Sequence, residues 1–145
     1  MSISLDTASV EWPGESIHPG NSEALPIAAG VYVRQFASKA CGARGFSTGT
    51  AAFEPHAVLP YHTHPFSEAI TILLGEAQVA VDGRAYHLSE FDCIHVPAGV
   101  PHEVMNRLQD YPMMAFCPFA SDTPCGEFVS NTFSVQERGL ENPQR

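Results

Sequence analysis

Proline and glycine punctuate this chain too closely for a long helix to form. Twelve prolines and eleven glycines are spread along 145 residues. Helix interiors and central strands tolerate both poorly. Between them lie short segments rich in Val, Ile, Thr and aromatic residues, without a convincing 3.6-residue apolar period. These segments predict strands over 31–36, 46–54, 59–64, 69–74, 76–81, 84–88, 93–97, 102–106 and 112–116. Asp82-Gly83 joins two of them in the pattern of a type I′ hairpin turn. The expected fold is all-β, in three parts. Residues 1–30 form an irregular N-terminal arm with room for short edge strands, and 31–120 form the strand-rich body. Residues 121–145 form a C-terminal segment whose Phe128, Val129 and Phe133 pack on that body or on a partner.

Composition narrows the classes of function. Hydrophobic residues make up 44% of the chain and charged residues 16%, enough for one domain with a real core. A net charge of −9, with Lys39 the only lysine, disfavours nucleic acid and anionic membrane surfaces as partners. No apolar run approaches membrane-spanning length. The N-terminus lacks the basic-then-apolar pattern of a secretory signal, so a cytoplasmic location is expected. Cys41, Cys93, Cys117 and Cys125 form no C-x-x-C pair and are expected as free thiols. Cys93 and Cys117 lie in apolar strand contexts, which predicts core positions.

Two short motifs carry the chemistry. The first is His62-Thr63-His64-Pro65-Phe66-Ser67-Glu68, closed by Gly75; the second is Pro97-Ala98-Gly99-Val100-Pro101-His102, followed by Asn106. Strand side chains alternate faces, so His62 and His64 point one way and Tyr61 and Thr63 the other. Pro65 has no amide hydrogen and ends the strand; a short turn then lets Glu68 open the next. His102 opens a further strand after its Pro-Gly-Pro turn. Each residue alone has an ordinary explanation as a core or surface group. Together, three imidazoles and a carboxylate that converge on one interior point form a donor set for a divalent transition metal ion. Mn, Fe, Co, Ni, Cu and Zn all accept it.

The same residues carry a resemblance. The chain resembles a small single-domain cupin over about residues 45 to 118. The first cupin motif is Gly, five residues, His-x-His, three or four residues, Glu, six residues, Gly. It is matched at His62, His64, Glu68 and Gly75. The second is Gly, five residues, Pro-x-Gly, two residues, His, three residues, Asn, matched at Pro97, Gly99, His102 and Asn106. The resemblance implies a double-stranded β-helix (jelly-roll) barrel, with His62, His64, Glu68 and His102 as metal ligands. The leading glycine of each motif is replaced, by His56 and by Phe91. Glycine adopts positive φ cheaply and other residues do not, so reshaped turns are expected at both places.

Other residues receive structural roles. Asn106 is expected to tie down a turn, His56 to sit in a loop, and His18 and His87 to be exposed. Cys93 and His95 share one face of their strand, with Ile94 and Val96 on the other. Arg34 is the one candidate clamp for an anionic substrate, and Phe53, Met114 and Phe116 are candidate pocket walls. No catalytic residue beyond the ligand set is named by the sequence. Three functions remain open: an oxygen-dependent enzyme similar to cupin dioxygenases, a non-redox isomerase, decarboxylase or lyase, and a non-catalytic binding or sensing cupin. The substrate would be a small molecule with an oxygen donor and an apolar body. The resemblance and the apolar outer face imply a homodimer.

Overall fold

The computed structural model describes residues 23–129; His18 and Phe133 lie outside them. Eleven strands are present: β1 Leu25–Ala28, β2 Val31–Ala37, β3 Thr48–Phe53, β4 Val58–Thr63, β5 Glu68–Leu74, β6 Ala77–Val81, β7 Arg84–Leu88, β8 Cys93–Val96, β9 His102–Asn106, β10 Met113–Phe116 and β11 Glu127–Phe128. All nine strands expected from the sequence occur, within about two residues of their expected ends. A single 3₁₀ turn, Lys39–Cys41, is the one helical element among the described residues, and none is long and apolar enough to cross a membrane.

The strands form two antiparallel sheets, ordered β1-β2-β3-β10-β5-β8 and β11-β4-β9-β6-β7. Neighbours in space come from distant parts of the chain, which is the winding of a jelly-roll barrel. The inner faces meet in a core of Val31, Phe53, Ile70, Ile72, Val79, Val96 and Met113, each at most 2% exposed. β1 is an edge strand contributed by the N-terminal arm. At Asp82-Gly83 both residues have positive φ, 49° and 75°, as a type I′ turn between β6 and β7 requires.

Along β4 the alternation of faces is interrupted. Its pairing with β9 shifts register between Leu59 and His62, where Pro60 and Tyr61 are set between two inward-facing residues. This is a β-bulge, and Pro60 suits it because it has no ladder hydrogen to lose. Strict alternation from Leu59 would have sent Tyr61 inward and His62 outward. The bulge restores His62 and His64 to the interior, and Tyr61 is buried on the other side of the sheet, outside the cavity lining.

The two turns that lack the motif glycines are not reshaped. His56 has φ 60° and Phe91 has φ 67°, so both keep the left-handed backbone. Each is the third residue of a four-residue turn closed by a backbone bond: Ala57 N–H donates to Glu54 O at 3.0 Å, and Asp92 N–H donates to Ser89 O at 3.0 Å. Pro55 precedes His56 and pre-sets the φ of a type II turn. The surroundings over-determine both conformations. Asn106, fully buried, donates from Nδ2 to Glu54 O (3.1 Å) and Tyr111 O (2.9 Å) and accepts at Oδ1 from Leu108 N–H (2.9 Å). Around Phe91, its own N–H donates to Ile72 O (2.7 Å), and Ile72 N–H donates to Asp92 O (3.1 Å).

A left-handed backbone costs a non-glycine residue roughly 1–2 kcal/mol, and glycine loses about half of that advantage to unfolded-state entropy. His56 and Phe91 are exposed and give up little packing. His56→Gly and Phe91→Gly are therefore expected to stabilise the barrel by roughly 0.5–1 kcal/mol each. Urea unfolding would register this as a higher midpoint at unchanged slope. A lower midpoint for both variants would contradict the strain argument.

Candidate metal centre

Three strands bring the site together from two sheets. β4 delivers His62, and His64 follows immediately after its end; β9 delivers His102, directly opposite His62 in the ladder. Glu68 opens β5 in the facing sheet. One ligating atom from each of His62, His64, Glu68 and His102 lies within 4.8 Å of the others. All four side chains expected to converge do so.

Each imidazole is oriented by a backbone carbonyl. His62 Nδ1 lies 2.8 Å from Pro60 O, His102 Nδ1 lies 3.0 Å from Val100 O, and His64 Nδ1 contacts Cys125 O. A carbonyl only accepts, so each Nδ1 carries the hydrogen and each Nε2 is left to the cluster. Two of these Nε2 atoms meet the carboxylate: Glu68 Oε2 is 2.9 Å from His102 Nε2 and 3.2 Å from His64 Nε2. An imidazole whose far nitrogen is fixed by an outer hydrogen bond is the arrangement metal sites use. The donor set fits a divalent ion: three nitrogens presented in the correct tautomer and one carboxylate, all aimed at one point.

Electrostatics within the cluster are strongly coupled. Burial pushes the His62 pKa down to about 4, helped by neighbouring His102, so this ring is neutral. Burial alone would lower His64 too, but its bonds to Glu68 and to the Cys125 carbonyl raise it above its ordinary value. Burial would likewise raise Glu68, yet its contacts with the His102 and His64 rings, which donate only where Nε2 also holds a proton, bring its pKa down to about 2. The carboxylate is thus ionised inside the barrel, which favours a cation at the centre.

A cavity of about 240 Å³ opens from the cluster. Its walls are mainly apolar, among them Val33, Phe53, Ile70, Val104 and Phe119. The His64 ring stacks on Phe66 at 5.4 Å between centroids and meets Phe119 edge-on at 5.1 Å.

Several expectations about the surroundings are corrected. Of the candidate walls, Phe53 lines the cavity, whereas Met114 and Phe116 alternate outward and Ala115 faces in. Arg34 is no clamp: Val33 and Gln35 line the cavity, and Arg34 does not. Cys93 is exposed instead of in the core, because β8 turns Ile94 and Val96 inward and leaves Cys93 and His95 outside. His56 sits in an exposed turn, and exposed His87 pairs with Glu76 at 3.0 Å. All four cysteines are unpaired.

Two contributions escaped the sequence reading. Cys117, expected only as core, lines the cavity; burial and the Glu68 charge push its thiol pKa well up, keeping it neutral. The segment from Pro124 to Phe128 also lines the cavity, reaching it from far along the chain. The sequence marks Phe128 for packing on the barrel or a partner, but nothing local in Pro-Cys-Gly-Glu-Phe points to the cavity.

Residues 49–119 match the family described as the cupin domain. No curated protein is significantly similar to the chain in sequence. Among solved structures, an RmlC-like cupin from Shewanella frigidimarina is 22% identical with a TM-score of 0.64, covering 76% of this chain and 93% of its own. The polyketide cyclase RemF of Streptomyces resistomycificus is 20% identical with a TM-score of 0.66, covering 81% and 87%. The oxalate decarboxylase of Lactobacillus farciminis, in a formate complex, is 18% identical with a TM-score of 0.68; the match covers 74% of this chain but 33% of that enzyme. At such identities the likeness concerns the fold, and fold leaves activity open. The family match, the two facing sheets and the paired motifs together make residues 49–119 a domain of the cupin superfamily.

Proposed function

We propose that this protein is a metal-dependent cupin enzyme with His62, His64, Glu68 and His102 as its metal ligands. Its substrate is a small molecule with an oxygen donor at one end and an apolar body. The observation that carries this reading is the clustering of the four donors, with His62, His64 and Glu68 exposed to an apolar cavity whose lining, among the described residues, holds no lysine or arginine. A negative charge on a substrate has no side-chain counter-ion there. It can be balanced only at the cluster, where a divalent ion with one carboxylate leaves about one positive charge. A bound divalent ion supplies Lewis acidity and, if it is Fe or Mn, redox chemistry with dioxygen.

The remaining walls do the positioning. Val33, Ala51, Phe53, Ile70 and Phe119 hold an apolar body and keep water from the donors. Outside the ligand set the ionisable groups of the lining are the neutral Cys117 thiol and Glu127 at the exposed end. Among the described residues the lining thus holds no further histidine and no lysine that could act as an independent general base. Oxygen-dependent cleavage of an already acidic substrate, such as an enolisable diketone, a 2-oxo acid or a phenol, makes the least demand for one. This is the favoured reaction. Glu127 is the observation that keeps a second reading, a non-redox isomerase, decarboxylase or lyase, because it could move a proton at the cavity mouth. Four free thiols support the expected reducing cytoplasmic setting, and exposed Leu25 and Ile27 on β1 support a homodimer.

His62→Ala/His64→Ala should weaken metal binding by at least about 100-fold while far-UV circular dichroism stays that of the barrel. Stoichiometric metal in the purified double variant would refute the ligand assignment. The reaction class is tested with Fe(II)-loaded protein and a panel of diketones, 2-oxo acids and phenols, followed in an oxygen electrode and again without oxygen. Oxygen uptake matched to substrate loss is expected. Turnover that persists anaerobically and is abolished in Glu127→Gln would favour the non-redox reading.

A further inference from the structure

Two of the three histidines are oriented by their own neighbourhood. His62 and His102 each hold the carbonyl two residues earlier, Pro60 O and Val100 O. His64 differs: its Nδ1 partner is the carbonyl of Cys125, 61 residues further along the chain. From this asymmetry we infer that Cys125–Phe128 is a strap that positions His64, so that docking of the strap and binding of the metal reinforce each other. The inference rests on the ligand assignment above and adds to it a set of residues outside both cupin motifs.

The strap is held at both ends. At its start, Lys39 N–H donates to Asp122 O (2.8 Å), and Gly45 N–H donates to Asp122 Oδ2 (3.0 Å). At its end, β11 adds to the edge of β4 with Glu127 opposite Thr63 and Phe128 opposite His62, and Val129 N–H donates to Tyr61 O at 2.9 Å. Between these anchors the backbone presses on the His64 ring. A Cβ at Gly126 would lie 2.8 Å from His64 Cε1, 2.9 Å from its Nδ1 and 3.3 Å from Thr63 O. Phe66 and Phe119 flank the same ring, so the strap completes its enclosure. The Phe128 ring stands 6.3 Å from that of His62 and helps line the cavity. Gly126 is exposed and its backbone is not left-handed, so its requirement is for space beside the imidazole and not for unusual φ.

Gly126→Ala is the probing substitution. It should fold normally and displace either the ring or the strap. Removing the outer partner of a ligating histidine typically weakens metal binding by roughly 10–100-fold, and that loss is expected for Zn(II), together with a changed Co(II) absorption spectrum. Nitrogen-15 NMR of the metal-free proteins should show the His64 tautomer losing definition in the variant, while His62 and His102 keep theirs. Linkage supplies a test in the unaltered protein. If the strap tightens metal binding, Zn(II) must slow amide exchange at Val129 by a comparable factor. Wild-type affinity and spectrum in Gly126→Ala would overturn the inference, as would Zn(II)-independent exchange of the strap. Should the variant fail to fold, the exchange experiment decides alone. Should the unaltered protein bind no metal, the ligand assignment fails, and the His64 tautomer by itself decides whether the strap positions the ring.

Discussion

Glu68 is a carboxylate at 6% exposure inside an apolar barrel, and the arrangement around it follows from that burial. An ionised carboxylate without partners would cost several kcal/mol there. His102 and His64 approach its Oε2 from the opposite sheet, so the compensating groups must come across the barrel. The two sheets are thereby joined by polar contacts as well as by the apolar core. The four polar side chains enter the interior as one unit, each satisfied by another or by a backbone carbonyl. A cation at their centre would serve the same end by replacing shared protons with a fixed charge.

The backbone around the cluster shows a second economy of construction. Pro60 marks the bulge in β4, and its carbonyl also accepts from His62 Nδ1. The residue that breaks the ladder thus orients the histidine that the break turns inward. Asn106 does comparable work at the far end of β9, tying the turn at Glu54–Ala57 to the chain after the strand. That clamp explains how His56 can hold a left-handed φ where related motifs carry glycine: the strain is local, and the bonds that oppose its release are buried.

The cavity and the cluster divide the chemistry between them. Among the described residues the walls are mainly apolar and hold no lysine or arginine, a surface suited to an apolar body. Charge recognition is left to the donors alone. Cys117 and Glu127 are the two groups that break this division: the first is a neutral thiol against Glu68, the second a carboxylate on the strap.

Much of this was legible in the residues. Short β-rich segments between prolines and glycines define the strands, Asp82-Gly83 defines a hairpin, and the spacing of His62, His64, Glu68 and His102 defines a donor set, because each depends on local geometry alone. The sequence also marks where the motif glycines are missing, but not the outcome. Whether His56 and Phe91 bend the turn or yield to it depends on bonds from Asn106, Leu108 and Ile72, all remote in the chain. Alternation likewise separates the two faces of β8 without saying which is inside. Only the pairing of β8 with β5 turned Cys93 and His95 outward. The bulge that sets the phase of β4, and the Cys125 carbonyl that holds His64, belong to tertiary structure for the same reason. They are contacts between segments brought together by the winding of the barrel, and a local pattern of side chains carries no record of them.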